Sequence, residues 1–157
     1  MHKITPFLWF DHEAEEAATF YVSVFENSRI TAVSRYGEAG PGPAGSVLTV
    51  SFELDGQPIT ALNGGPHFKL TEAFSLSVDC EDQAEVDHLW EVLTFDGGKP
   101  SQCGWLKDKF GLSWQIVPTE LIALMRKPDA QKVTRMTQAM FTMKKLDIAA
   151  LRQAFEG

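Results

Sequence analysis

Few side chains in this sequence are placed to do chemistry. His67, in the run Gly64-Gly65-Pro66-His67, falls on a loop just past a strand-like segment. An imidazole there titrates near working pH, so it is a candidate substrate contact or general base; the alternative is an exposed, loop-capping histidine. His2, His12 and His88 are isolated, with no H-x-H or H-E-x-x-H spacing, and read as surface residues. Cys103 sits in a strand-like run, not at a helix N-terminus, so nothing local lowers its thiol pKa and it reads as a small buried hydrophobe. Ser113 and Gln115 alternate with Leu112, Trp114 and Ile116, which puts both polar groups on one face of a strand and the apolar ones on the other. That polar face either meets solvent or meets a ligand. The glycines between Gly37 and Gly45 lack the following helix that a phosphate-cradling loop requires, because Val47 onward is strand-like.

The elements that must position these residues come in a repeated order. Ile4 to Phe10 reads as a strand with Pro6 at its start, and Asp11 is placed to cap a helix with an acidic first turn, Glu13, Glu15 and Glu16. Ala14, Ala17, Ala18, Tyr21, Val24 and Phe25 share the apolar face of that helix, and Asn27 ends it. Strand-like Arg29 to Tyr36, a Gly/Pro loop, Val47 to Leu54, the turn Asp55-Gly56 and Pro58 to Asn63 complete β-α-β-β-β. Phe74, Leu76 and Val78 then begin a second strand–helix series. Asp82-Gln83-Ala84-Glu85 has capping-box spacing, Val86, Leu89, Trp90 and Leu93 form the apolar face, and Gly97-Gly98 stops the helix. Lys99 to Trp105 is predicted as a strand, Lys107 to Gly111 as a turn, and Leu112 to Val117 as the last strand before Pro118. The tail is helical, with Val133, Met136, Met140 and Met143 on one face and Ile148, Leu151 and Phe155 on another. The methionine stripe is either a partner groove or core packing, and packing is the simpler reading.

The whole chain bounds these readings. Its 157 residues fit a single α+β domain at 1–157, with module one at about 1–66, module two at about 73–118 and the tail at about 119–157. With 14 Lys+Arg against 21 Asp+Glu, the net charge of −7 speaks against nucleic acid and against an anionic membrane surface as partners. No apolar run approaches the roughly 20 residues of a spanning helix, and no signal peptide is visible at the N-terminus. Two cysteines, Cys80 and Cys103, make no disulfide framework, so a cytoplasmic protein with free thiols is expected.

Three stretches carry a family resemblance: Ile4-Thr5-Pro6-Phe7-Leu8, then Ala61-Leu62-Asn63-Gly64-Gly65-Pro66-His67-Phe68, then the long run from Cys103 to Pro118. Met140 to Leu151 extends it into the tail. The chain resembles the PhnB-like proteins of the glyoxalase/bleomycin-resistance (vicinal oxygen chelate) superfamily, a group also called 3-demethylubiquinone-9 3-methyltransferase. One departure is Asn63, where many relatives carry Asp. The resemblance implies two βαβββ modules forming a half-barrel cup for a small molecule, C-terminal helices, a bacterial source and a homodimer. It places Ser113 and Gln115 on the concave side. Asn63, Trp105, Trp9 and Tyr36 are further pocket candidates by residue type, since large aromatics line both cores and ligand sites, and His67 joins them from its loop.

In metal-dependent members of that superfamily, His, Gln and Glu side chains on the first and last strands of each module hold a divalent ion. Ile4-Thr5-Pro6, Thr60-Ala61 and Ala73-Phe74 offer no such ligand here, and only Gln115 stands where Glu is frequent. A neutral amide is a weak ligand for a hard cation, so no metal and no cofactor are expected. Adenosylmethionine-dependent methyltransferases commonly use an open α/β sheet of alternating strands and helices, a series this sequence lacks. The expected function is therefore binding of a small molecule without transformation. The alternatives are an enzyme of the superfamily (a lyase, isomerase or dioxygenase, metal-dependent or using His67) and the methyltransferase of the group's name.

Overall fold

A computed structural model describes residues 2–157, which divide into two compact units, one ending at Leu70 and the other spanning Thr71–Gly157. The first contains β1 (Phe7–Phe10), α1 (Ala14–Val24), β2 (Arg29–Arg35), β3 (Val47–Leu54) and β4 (Gln57–Asn63). Its sheet order is β1-β4-β3-β2, with β1 parallel to β4 and the other pairs antiparallel. Leu8, Phe10, Val50, Phe52, Leu54, Ile59 and Ala61 are buried on one sheet face. Ala14, Ala17, Ala18 and Tyr21 of α1 are buried with them, small residues that let the helix approach closely. The Asp55-Gly56 turn has both residues at positive φ, 47° and 78°, as a tight two-residue hairpin demands.

Asp11 does not cap α1. The helix starts later, at Ala14, with no side-chain cap from its own flank. Its first N–H instead donates to the Asn63 Oδ1 at 2.8 Å, while the Asn63 Nδ2 donates to the Val47 carbonyl at 3.1 Å. A residue 49 positions downstream thus does the work of a local cap and ties α1 to β3 and β4.

The second unit repeats the topology with β5 (Ser75–Cys80), α2 (Gln83–Thr94), β6 (Lys99–Pro100), β7 (Trp105–Lys107) and β8 (Ser113–Pro118), in the order β5-β8-β7-β6. Asp82 caps α2, accepting from the Glu85 N–H at 2.8 Å, and Glu85 reaches back to the Glu81 N–H at 2.9 Å. Leu106, Leu112, Trp114, Ile116 and Cys80 pack on Val86, Leu89 and Leu93.

The β7–β8 turn is organised by Asp108, a carboxylate only 2% exposed. Its Oδ1 accepts from the Phe110 and Leu112 N–H groups at 2.8 and 3.1 Å, and its Oδ2 accepts from the Trp114 indole at 2.8 Å. Burial of a carboxylate is tolerable only with such partners.

One expected strand is broken. Lys99 to Trp105 is not continuous: residues 101–104 form a turn with Cys103 and Gly104 at φ 58° and 86°. The cause is the tail, whose Met143 and Lys144 carbonyls accept from the Cys103 and Gly104 N–H groups, both at 2.8 Å. A Cβ at Gly104 would sit 2.9 Å from the Leu146 Cδ1, so glycine is required for the strap to pass. Cys103 is consequently half-exposed in a turn, not a buried strand residue. Cys80 is fully buried, and that burial pushes its thiol up to about 12.

The tail comprises α3 (Thr119–Met125), α4 (Ala130–Met140) and α5 (Ile148–Glu156). Leu121, Met136, Leu146, Leu151 and Phe155 form its core, with Val117, Val133, Met140 and Met143 packed against it. The methionine stripe is therefore core packing. Gln83 clamps the tail to α2, donating to the Leu146 carbonyl at 3.0 Å and accepting from the Ile148 N–H at 2.8 Å. The Arg152 guanidinium makes a bidentate pair with Glu120 at 2.8 and 2.7 Å and holds that carboxyl below its usual range. No helix among the described residues is long and apolar enough to cross a membrane.

Two stability predictions follow from these ties. Asp108→Ala leaves the Trp114 indole and two backbone donors without this acceptor and should cost about 3 kcal/mol or more in urea unfolding. Asn63→Ala should cost about 1 kcal/mol, the usual loss when a helix cap is removed, whereas a residue serving ligand contact alone would leave the midpoint unchanged.

Candidate functional site

Each sheet has one face against its own helix, α1 or α2, and an opposite face free of that helix. In the second unit the strand registers fix what the helix-free face carries. Ser75 and Ser77 of β5 stand beside Ser113 and Gln115 of β8, and across β8 lie Lys107 and Trp105 of β7. Lys99 of β6 is the register partner of Lys107. Because side chains of paired residues share a face, these groups form one polar surface opposite Trp114, Ile116 and Leu106. Ser113 and Gln115 thus stand together on it, with Trp105 beside Gln115. Sequence reasoning missed Ser75, Ser77 and Lys107, whose proximity arises only from pairing across strands.

The hydrogen bonding of this face is incomplete. The Gln115 Nε2 donates to the Ser75 Oγ at 3.0 Å. The Ser113 side chain is 1% exposed, yet its hydroxyl is the one buried side-chain polar atom without a hydrogen-bond partner among the described residues. Burying a hydroxyl unpaired costs roughly 1–3 kcal/mol, which makes the position a stability defect unless something binds there. Lys107 reaches the Glu72 carboxylate at 2.5 Å, and its ammonium hydrogen bond holds that exposed carboxyl below the usual range. At the other end of the face, Val117 packs on the tail core.

The first unit holds the remaining candidates. The Trp9 indole donates to the Gly65 carbonyl at 2.9 Å, and its ring meets Phe68 edge-on with centroids 4.9 Å apart. The Tyr36 hydroxyl donates to the Asn63 carbonyl at 2.5 Å, and its ring lies over Gly40 and Gly42. Asn63 lies on the helix side of its sheet, with both ends of its amide engaged as described above. His67 is exposed, and no hydrogen-bond or ion-pair partner among the described residues orients its imidazole. General-base catalysis commonly relies on such an orienting group.

The metal that the superfamily implies does not fit these donors. Of the ligand positions in the second unit, Ala73 and Phe74 offer no side-chain donor atom and Gln115 offers only a neutral amide, whose Nε2 donates to the Ser75 Oγ. In the first unit Ala61 is buried against α1 and offers no donor. Among the described residues the one group of three potential ligands is Asp11, His12 and Glu13, lying just before α1, where the His12 Nδ1 is 3.0 Å from Glu13 and 3.6 Å from Asp11. Asp11 and His12 are exposed and Glu13 is half-buried, and exposed acidic groups of this kind are common without an ion.

Comparison with known proteins gives the family and the fold. The family model described as 3-demethylubiquinone-9 3-methyltransferase matches residues 2–117 and stops where the tail begins. The PhnB protein of Bacillus cereus is 39% identical, with a TM-score of 0.68 over 74% of this chain and 99% of its own. Protein PA1353 from Pseudomonas aeruginosa shares the fold at 20% identity and a TM-score of 0.61, covering 75% of this chain and 98% of its own. A glyoxalase/bleomycin resistance protein from Albidiferax ferrireducens T118 matches at 13% identity and a TM-score of 0.48, over 74% and 98%. No curated protein matches. With a family model spanning most of its length and a relative of this identity, the chain belongs to the PhnB-like, 3-demethylubiquinone-9 3-methyltransferase family.

Proposed function

We propose that this protein is a cytoplasmic homodimer that binds a small molecule against the helix-free face of the β5–β8 sheet and does not depend on a metal held in the superfamily's manner. The observation that carries this reading is the buried, unpaired Ser113 hydroxyl within a face of Ser75, Ser77, Gln115, Lys107 and Trp105. Binding sites combine an aromatic surface with a few fixed polar groups, and this face has both. Binding without turnover is favoured over catalysis because no His, Asp or Glu among the described residues hydrogen-bonds Ser113 or Gln115, and His67 has no orienting partner among them. Dimer formation is supported by β2, an edge strand exposed along its whole length and carrying Ile30 and Val33, and by Phe7 at 62% exposure.

Thermal-shift screening against small molecules, followed by mass spectrometry, tests the proposal. Ligands should raise the melting temperature saturably, be recovered unchanged, and lose their effect in Gln115→Ala and Trp105→Ala. Product formed by catalytic amounts of protein would overturn the binding reading, and His67→Ala would then show whether His67 is the base. Calorimetric binding of adenosylmethionine would restore the methyltransferase. Metal content above about one tenth of an equivalent, in protein purified without an affinity tag, would contradict the metal-free reading.

A further inference from the structure

We propose, building on the small-molecule reading above, that the ligand of the β5–β8 face is an anion whose carboxylate or phosphoryl oxygens are taken by Lys107, Ser113 and Ser75 in place of Glu72. The face is donor-rich at one end. Lys107 and Ser113 are register partners on neighbouring strands, Ser75 is the partner of Ser113 on the other side, and Lys99 is the partner of Lys107. Paired positions on one face of antiparallel strands hold their Cβ atoms about 5 Å apart, so the Ser113 hydroxyl and the Lys107 ammonium can reach one oxyanion, with Ser75 one strand further on and Lys99 adding charge from the strand beyond Lys107.

The charges there do not cancel. Lys107 is paired with Glu72, but Lys99 has no ion-pair partner among the described residues. Within the strands of this sheet the acid on the same face is Asp79 of β5, and it stands at the opposite end, as partner of Val117. One uncompensated positive charge is left at the Lys107 end of a protein whose net charge is −7.

Glu72 behaves as an internal stand-in for the ligand. It lies on the segment before β5, its side chain is 64% exposed, and it presents a carboxylate to Lys107. Solvent on its far side means it can leave at little cost, since exposed ion pairs hold their partners weakly. It also leaves the Ser113 hydroxyl unpaired. A ligand oxyanion seated between Lys107 and Ser113 satisfies both, and that difference drives the exchange.

The test is a titration of isotopically labelled protein by amide NMR with inorganic phosphate, benzoate and neutral benzamide, at constant ionic strength. Benzoate or phosphate should shift the Ser75, Lys107 and Ser113 amides saturably, and which of the two binds tighter identifies the carboxylate or phosphoryl source. Glu72→Gln removes the competitor and should tighten binding about threefold or more; Lys107→Met should weaken it about tenfold, with Lys107→Arg restoring most of the loss. Shifts scattered over the surface, equal binding of benzamide and benzoate, or binding indifferent to both Glu72→Gln and Lys107→Met would overturn the proposal. If benzamide or another neutral molecule still binds the face in Lys107→Met, the small-molecule function stands and only the anion assignment falls.

Discussion

A single buried carboxylate fixes the hairpin on which the candidate site is built. Asp108 accepts two backbone N–H groups of its own turn and the indole N–H of Trp114 six residues on. The first two bonds set the turn between β7 and β8. The third fixes Trp114 on the helix side of the sheet, which by strand alternation turns Ser113 and Gln115 to the other side. With that register set, Lys107 must stand beside Ser113 and Trp105 beside Gln115. A one-residue slip would turn the polar residues toward α2 and the tryptophan away from it.

Long-range ties of the same kind hold the other elements. Asn63 replaces a local cap on α1, Gln83 clamps the tail to α2, and Gly104 leaves room for Leu146. The tail lies beyond the family match at residue 117, yet it packs on Val117 at the end of the polar face and breaks the strand after Pro100. The tail, with its own core, thus packs on the end of β8.

Most of the architecture was legible in the sequence because alternation, turn glycines and helix faces are local signals. The β3 bounds, the Asp55-Gly56 hairpin and the Asp82 cap all follow from spacing alone. What was illegible depends on distant groups. Nothing near Ala14 announces that Asn63 will receive its N–H, and nothing near Cys103 announces that the tail will take its backbone donor. The site shows the same division: Ser113 and Gln115 were found by alternation on one strand, whereas Ser75 and Lys107 join them only through pairing. The first-unit candidates Trp9, Tyr36 and Asn63 were selected by residue type, and hydrogen bonds within the fold now account for their polar atoms.

The central claim is that a hydroxyl has been kept unpaired in a buried position for a ligand's sake. Its most direct test is the unfolding free energy of Ser113→Ala without ligand. If the hydroxyl serves a ligand, removing it relieves a desolvation cost, and the variant should unfold at higher urea, more stable by about 1 kcal/mol, while binding ligand more weakly. A variant that is less stable than the parent and binds ligand unchanged would contradict the account, because the hydroxyl would then serve the fold.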